Sequence, residues 1–460
     1  MKVLLIDPPW VVENKENLWR KVGSCLPSLG LAYIASVLEK AGHDVKIMDC
    51  TAEKIAVEDV SKKIKEYKDL DFIGLTATTS IINNALKIAN ICKKQFPNSK
   101  VVMGGVHPSV LPDEVLSYPF IDFVVVGEGE ITMKKLAEGK NPEHILGLYY
   151  KKNGKIIHNQ LRPLIKNLDE IPPPAYNLLP MDKYYPSVGN YKRLPAMSIF
   201  ATRGCPGRCT FCHMAFGGVV RQRSARNIIE EIKLLQKKYG VKEISFYDDT
   251  FTLFKKVVRE FCDIVAKEKI DITWSCFTRV DFVDEDLLKC MKKAGCHLIL
   301  FGVESADEQI LKNIKKNISL EQVKKIVRLA RKIGIETRAS FMFGNPGETE
   351  KTIKKTIKFA IELDPDEVQF NITTVYPGTE MYEWAKKNNY LTAKDWSNYN
   401  VSDCVMELPT VSNDILKKYY KLAHKKFYLR PKVILRRLSR IHTITQLMQE
   451  IKGALAVTNS

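Results

Sequence analysis

Met197-Ser198-Ile199-Phe200-Ala201-Thr202-Arg203-Gly204-Cys205-Pro206-Gly207-Arg208-Cys209-Thr210-Phe211-Cys212 joins a strand-like run to a C-x3-C-x2-C spacing. Three thiolates within eight residues can hold three corners of one soft-metal cluster. An iron–sulfur cube has four irons, so three protein ligands leave one iron open for chemistry. With 11 Cys in 460 residues, composition alone would produce this spacing only about 0.006 times. A structural zinc site would need a fourth ligand, normally from a second, separate pair. No such pair exists, and His213 lies too close to Cys212 to complete a relaxed site. The other cysteines are scattered singly, which argues against a disulfide framework and for a reducing compartment.

Downstream of the triad, short apolar runs alternate with amphipathic helical patterns. Strands are expected at 197–203, 243–249, 272–279, 297–305, 337–344 and 367–376, with helices such as 225–239, 255–267, 284–294, 320–333 and 349–363 between them. Six such units make a partial (β/α)6 barrel, in which functional groups gather at the carboxyl ends of strands. The Cys run follows the first of these strands, where chemistry is expected. Upstream, strands at 3–7, 44–49, 71–77, 100–105 and 123–127 alternate with helices at 29–41, 56–67, 81–95 and 131–138. This pattern predicts a doubly wound, Rossmann-like parallel sheet whose ligand edge carries Thr78 and Ser80, Gly104-Gly105 and Gly127-Glu128. No G-x-G-x-x-G opens the first helix, so a dinucleotide site is not expected. A hairpin turning at Asn153-Gly154 and the stiff Pro172-Pro173-Pro174 connect the two halves. The expected division is 1–140 for the first domain, 141–195 for hairpin and linker, 196–385 for the barrel and 386–460 for a basic helical extension.

The spacing, with an aromatic before the last Cys, resembles the radical S-adenosylmethionine (SAM) superfamily. The resemblance implies that Cys205, Cys209 and Cys212 ligate a [4Fe–4S] cluster whose open iron chelates SAM. Reduction would then cleave SAM to a 5′-deoxyadenosyl radical. It further implies SAM recognition at the barrel mouth. Phe211 lies in the cluster loop, and Asp248 or Asp249 would hold the ammonium. Arg279 or Arg338 would hold the carboxylate, Glu304 the ribose, and the turn Gly344-Asn345-Pro346-Gly347-Glu348-Thr349 would lie near adenine. That last segment reads equally as a turn with Thr349 capping a helix. The pieces Leu29-Gly30-Leu31-Ala32-Tyr33-Ile34-Ala35, Gly104-Gly105-Val106-His107-Pro108 and Val126-Gly127-Glu128-Gly129-Glu130 resemble the cobalamin (B12)-binding domain that precedes many radical SAM cores. Thr78, Ser80, Gly104, Gly105, Gly127 and Glu128 would approach that cofactor. No His occurs before His43, so cobalamin is expected without a lower His ligand, and His107 reads as a turn residue.

The resemblance as a whole points to the cobalamin-dependent radical SAM group that methylates unactivated carbon or builds rings, as in anaerobic magnesium-protoporphyrin monomethyl ester cyclase. It implies a small-molecule, lipid or tetrapyrrole substrate and an electron donor such as ferredoxin or flavodoxin. Two other readings stand beside it. One is an RNA-modifying methylthiotransferase with a second cluster on Cys25, Cys50 and Cys92; the other is a metal-binding scaffold without catalysis. The net charge of +18 fits a Lys-rich solvated surface better than a nucleic-acid groove. The tail carries the basic aromatic stretch 416–428 and a second cationic stretch from Val433. These are expected to cap the open barrel edge, with contact to anionic lipid as the second reading. No apolar run is long enough to span a bilayer, and no targeting segment is expected before the first strand; the expected setting is the cytoplasm, with a place at the membrane periphery as the second reading.

Overall fold

The computed structural model describes residues 1–10, 23–187, 189–214 and 216–439. The expected cationic stretch beyond Ser439 lies outside the described residues. Two sheets organise the chain. The first contains β1 (Lys2–Asp7), β2 (Asp44–Asp49), β3 (Phe72–Thr76), β4 (Lys100–Gly104), β5 (Phe123–Val125), β6 (Leu148–Lys152) and β7 (Lys155–His158), in the order β2-β1-β3-β4-β5-β6-β7. β1 to β5 are parallel, and β6 and β7 join antiparallel at the edge. The hairpin expected in the linker therefore extends the first sheet.

β1 shows why this sheet is covered on both faces. Val3, Leu4, Leu5 and Ile6 are all buried. Val3 and Leu5 pack with Leu29, Ala32 and Met133, while Leu4 and Ile6 pack with Ile73, Ile82 and Ala85. A strand buried on both sides needs a continuous apolar run rather than alternation. The face carrying Val3 and Leu5 is continuous with the barrel core, so helix Leu29–Lys40 is sandwiched between the halves. The Ala32 carbonyl accepts a hydrogen bond from Ala175 N in the Pro-rich connector. The helix expected at 56–67 is instead two 3-10 turns flanking a single α-turn, Val60–Lys63.

The second sheet comprises β8 (Ala196–Ile199), β11 (Glu243–Phe246), β12 (Thr273–Thr278), β13 (Cys296–Glu304), β14 (Glu336–Phe343) and β15 (Glu367–Ile372). All are parallel, in the order β15-β14-β13-β12-β11-β8. The first expected strand is broken. Thr202–Arg203 (β9) leaves the barrel sheet and pairs antiparallel with Arg221–Gln222 (β10). In β14 buried Thr337, Ala339, Phe341 and Phe343 alternate with half-buried Arg338, Ser340 and Met342. The first set meets the outer helices and the second faces the barrel interior.

Six strands do not close a barrel, so β15 has an open edge. Helix Asn413–Tyr428 covers it, as the sequence led us to expect. Tyr428 Oη donates to the Val368 carbonyl at 2.7 Å and accepts from Val368 N at 3.2 Å. His424, its pKa lowered to about 4 by burial, sits edge-on to Phe370 at 5.3 Å. Tyr428→Phe removes both partners of Val368 and should cost about 1–3 kcal/mol. Denaturant unfolding would register this as a lower midpoint at constant slope.

Candidate functional site

The cluster loop is built from its base. After β8 the chain turns onto Asp248, which follows β11. Asp248 Oδ1 accepts from Ala201 N at 3.0 Å, from Thr202 Oγ1 at 2.6 Å and from Thr202 N. The β9–β10 ribbon then pinches the loop. Gly204 sits at φ +96°, where a Cβ would lie 2.6 Å from the Val219 carbonyl oxygen, so only glycine fits. Farther out, Thr210 N donates to the Ile314 carbonyl and Met381 N donates to the Thr210 carbonyl.

The triad is gathered on this frame. Gly207 N approaches Cys205 Sγ at 3.4 Å. A Cβ on Gly207 would stand 3.3 Å from Cys205 Sγ, 3.5 Å from Arg279 Nη1 and 3.9 Å from Cys209 Sγ, so two sulfurs and a guanidinium share one side of the loop. The hydrogen bond from Cys212 lowers the Cys209 thiol to about 7, helped by Lys316 and Arg279. Burial raises that of Cys205. Cys212 is the exposed member. Among the described residues no group of three or more His, Cys, Asp or Glu side chains is arranged for a single metal ion. Three cysteines of one loop with cationic neighbours suit the three protein corners of a multi-iron cluster.

The structure sorts the residues expected around SAM. Asp249 lies at the cavity between the two halves. Asp248 does not, because Oδ1 is committed to the loop base and burial pushes the carboxyl up to about 7. Arg279 stands beside the cluster loop, paired with Asp281 at 2.9 Å and donating to the Asn317 carbonyl at 3.0 Å. Arg338 is the exception. It lies near the amino end of β14, opposite the cluster loop, and its guanidinium is bound by Glu367, the first residue of β15. That places it deep in the barrel rather than at the mouth. Glu304 ends β13 in the left-handed region, φ +70°, and pairs with buried Lys316 at 3.2 Å. Phe211 is half-buried against the core. Thr349 caps helix Glu350–Leu363 with a reciprocal bond to Thr352, and Glu348 is buried on Asn345 and Thr352, so this turn is a built helix start.

The carboxyl edge of the first sheet faces this loop. A cavity of about 310 Å³ lies between them, lined by Gly104, Gly105, Gly127 and Glu128 from one side and Phe200, Arg203, Tyr247 and Asp249 from the other. Gly105 has φ +95°, and a Cβ there would meet Thr76 Oγ1 at 2.7 Å and the Ala77 carbonyl oxygen at 2.8 Å. Gly105 is thus required by its own chain neighbours, whereas a Cβ on Gly127 would meet nothing, so main chain is open to the cavity there, as a cobalamin site requires. Thr78 and Ser80 line a second cavity, of about 430 Å³, which shares Val106 and His213 with the first.

Glu128 has another task. Its carboxylate accepts from Arg203 at 2.7 Å, from Arg221 at 2.8 Å and from Ile165 N at 2.8 Å. Glu130 binds the other arm of Arg203 at 2.6 Å. Arg203 also stands over the Tyr33 ring, 5.2 Å from its centroid. Burial pushes the Glu128 carboxyl up, but Ile165 N–H and the two guanidiniums outweigh it and hold the group below its ordinary value. Glu128 is therefore an interdomain clamp at the cavity wall.

His107 is fully buried, with Nδ1 3.3 Å from Thr79 Oγ1, Nε2 3.7 Å from Glu114 and Trp396 edge-on at 5.2 Å. It does not line the first cavity. Cys25, Cys50 and Cys92 are each buried, and burial raises all three thiols, Cys25 to about 11 and Cys92 to about 12. Such thiols resist ionisation, which a second cluster would need. Sequence reasoning missed Arg203, Lys316 and Trp396. Arg203 lay in plain view as a strand residue, but its partner Glu128 is 75 positions away.

Removing Glu128 leaves buried Arg221 with no carboxylate, only the Ile165 carbonyl, and Arg203 with Glu130 alone, whereas removing Glu130 leaves Arg203 still paired with Glu128 and Arg221 untouched. Glu128→Ala should destabilise by about 3–5 kcal/mol and Glu130→Ala by clearly less. Denaturant titration of the two variants checks the order.

Comparison with known proteins agrees with this geometry. The radical SAM superfamily model matches residues 199–360, and the B12 binding domain model matches residues 18–137. An uncharacterized methyltransferase of Pyrococcus horikoshii is 42% identical over 99% of this chain and 98% of its own length. The anaerobic magnesium-protoporphyrin IX monomethyl ester cyclase of Rubrivivax gelatinosus is 29% identical over 93% of this chain and 78% of its own. The solved radical SAM methyltransferase TsrM of Kitasatospora setae, with cobalamin and a [4Fe-4S] cluster bound, shares the fold at TM-score 0.73 and 18% identity, over 99% of this chain and 98% of its own. Among the described residues no helix is long and apolar enough to cross a membrane. With a cysteine loop on a six-stranded barrel facing the glycine-lined edge of a B12-binding sheet, this chain belongs to the cobalamin-dependent radical SAM enzymes, the group of methyltransferases and cyclases that use SAM, a [4Fe–4S] cluster and cobalamin.

Proposed function

We propose that this enzyme transfers a methyl group to carbon of a small molecule held between the two cavities. The observation that carries the reading is the shared wall. Val106 and His213 line both cavities, and His213 directly follows Cys212. A group in the second cavity would thus face the cluster loop and the cobalamin edge together. When bound, the cluster supplies the electron that cleaves SAM, and cobalamin supplies a methyl carrier. This chain's residues do the placing. Cys205, Cys209 and Cys212 hold the cluster, Arg279 holds the SAM carboxylate and Asp249 its ammonium. Lys316, beside Cys209 and Glu304, keeps positive charge at the loop. The buried Arg203–Glu128 clamp sets the distance between the halves.

The electron donor in this reading is a reduced ferredoxin or flavodoxin. Helix Pro431–Leu438 exposes Ile434, Leu435 and Leu438 beside Lys432, a composition suited to peripheral contact with anionic lipid.

Anaerobic reconstitution followed by dithionite and SAM tests the assignment. Wild-type protein should form 5′-deoxyadenosine, and any one of the triad changed to Ala should lose both the iron chromophore and that product. Arg279→Ala should weaken SAM binding by about tenfold or more, as expected for a charge-assisted pair, while Arg338→Ala should leave it within about twofold. Calorimetry showing the reverse order would reject the placement.

Paramagnetic resonance of the Co(II) form tests the lower face. The signal should lack nitrogen superhyperfine splitting, because His107 is held by Thr79, Glu114 and Trp396. Nitrogen splitting that vanishes in His107→Ala would overturn this.

A further inference from the structure

The second cavity differs chemically from the rest of the chain. Its walls are aromatic, from Trp10, Tyr376 and Tyr399, and its polar edges are the amides and hydroxyls of Gln369, Asn400, Ser402, Thr78, Thr79 and Ser80, with the His213 imidazole where it adjoins the first cavity. Among the described residues none of its twelve lining side chains is Lys, Arg, Asp or Glu, although 27% of the chain is charged and about three would be expected at random. The neighbouring cations are already committed. Below Gln369, which is in β15, Arg338 is bound by Glu367. Beside the cluster loop, Arg279 is paired with Asp281 and, in the proposed function, takes the SAM carboxylate, and Lys316 is paired with Glu304. The polar edges are also held in place. The Tyr399 ring packs tilted against Trp396, centroids 4.9 Å apart, and Asn400 donates to Asp403 at 2.8 Å while accepting from Ser402 N.

An anionic group entering here would lose its water and, among the described residues, meet no lysine or arginine on the cavity wall, only the His213 imidazole at its inner end. An uncharged ring or chain with a hydroxyl or amide would lose little. Its apolar body would meet three aromatic faces, and its polar atom would meet Gln369 or Asn400. We infer that the acceptor of this enzyme is an uncharged, largely apolar small molecule, and that carboxylate and phosphate esters are discriminated against. The inference rests on the proposed function, because it takes this cavity as the acceptor site.

The test uses matched probes on one anaerobic preparation loaded with iron, cobalamin and SAM. Equilibrium dialysis compares 2-naphthol with 2-naphthoate and 2-naphthyl phosphate. The naphthol should bind at least about tenfold more tightly than either anion. Gln369→Lys, which adds a cation at the wall, should narrow or reverse that preference, and Gln369→Met should preserve it. An anion that binds wild-type protein as tightly as the naphthol would overturn the inference. So would the absence of binding by all three probes, or a preference indifferent to Gln369→Lys in protein that still retains cobalamin. Cofactor content and 5′-deoxyadenosine formation are read separately. Their loss would sink the proposed function, whereas a preference for anions with both intact would sink only the acceptor class.

Discussion

The position of everything reactive depends on a few buried charges between the halves. Glu128 and Glu130 follow β5 of the first sheet, and Arg203 precedes the cluster cysteines by two residues. Their ion pairs are almost wholly removed from water, so losing Arg203 would leave buried Glu130 without its guanidinium, and losing Glu128 would leave buried Arg221 without a carboxylate. A second buried pair works in the same direction: Arg223 binds Glu231, which also accepts from Tyr176 of the connector at 2.5 Å. Two β/α units that could otherwise slide are held with their strand ends facing.

That orientation follows from how parallel sheets present ligands. Both units place glycine-rich or turn-forming loops beyond the carboxyl ends of their strands, the only edge where loops leave room for a cofactor. Turned face to face, the two edges enclose one region lined by glycine main chain on the cobalamin side and, on the barrel side, by Phe200, Arg203, Tyr247 and Asp249 next to the cluster loop. Neither sheet alone could exclude water from that region. The continuous core around helix Leu29–Lys40 supplies the apolar contact that keeps it closed.

The electrostatics of the centre are local despite the high net charge. Arg203, Arg279, Lys316 and Arg338 each lie against a carboxylate. The surplus of Lys and Arg falls instead on exposed helix faces, where Lys233, Lys289 and Lys354 pair with Glu one turn away or less. Such surface pairs contribute little to stability, and they spread the surplus charge over helix faces.

The sequence by itself determined the two β/α halves, the small-residue ligand edge of the first and the cysteine loop on the first barrel strand, and only a family resemblance named that edge as B12-binding. These depend on local periodicity and on short spacings, which the chain carries within a few residues. Covering of the barrel edge by the aromatic tail was legible for the same reason, since stretch 416–428 has an apolar face that must be buried. The sequence did not reveal that Asp248 holds the loop base, that Arg338 is spent on Glu367, or that Glu128 clamps the halves. Each of these depends on which side chain lies across the fold, and a carboxylate reads the same in one dimension whether it meets a cofactor or a guanidinium. Only tertiary packing decided between those fates, because a buried charge takes whichever partner the fold brings within reach.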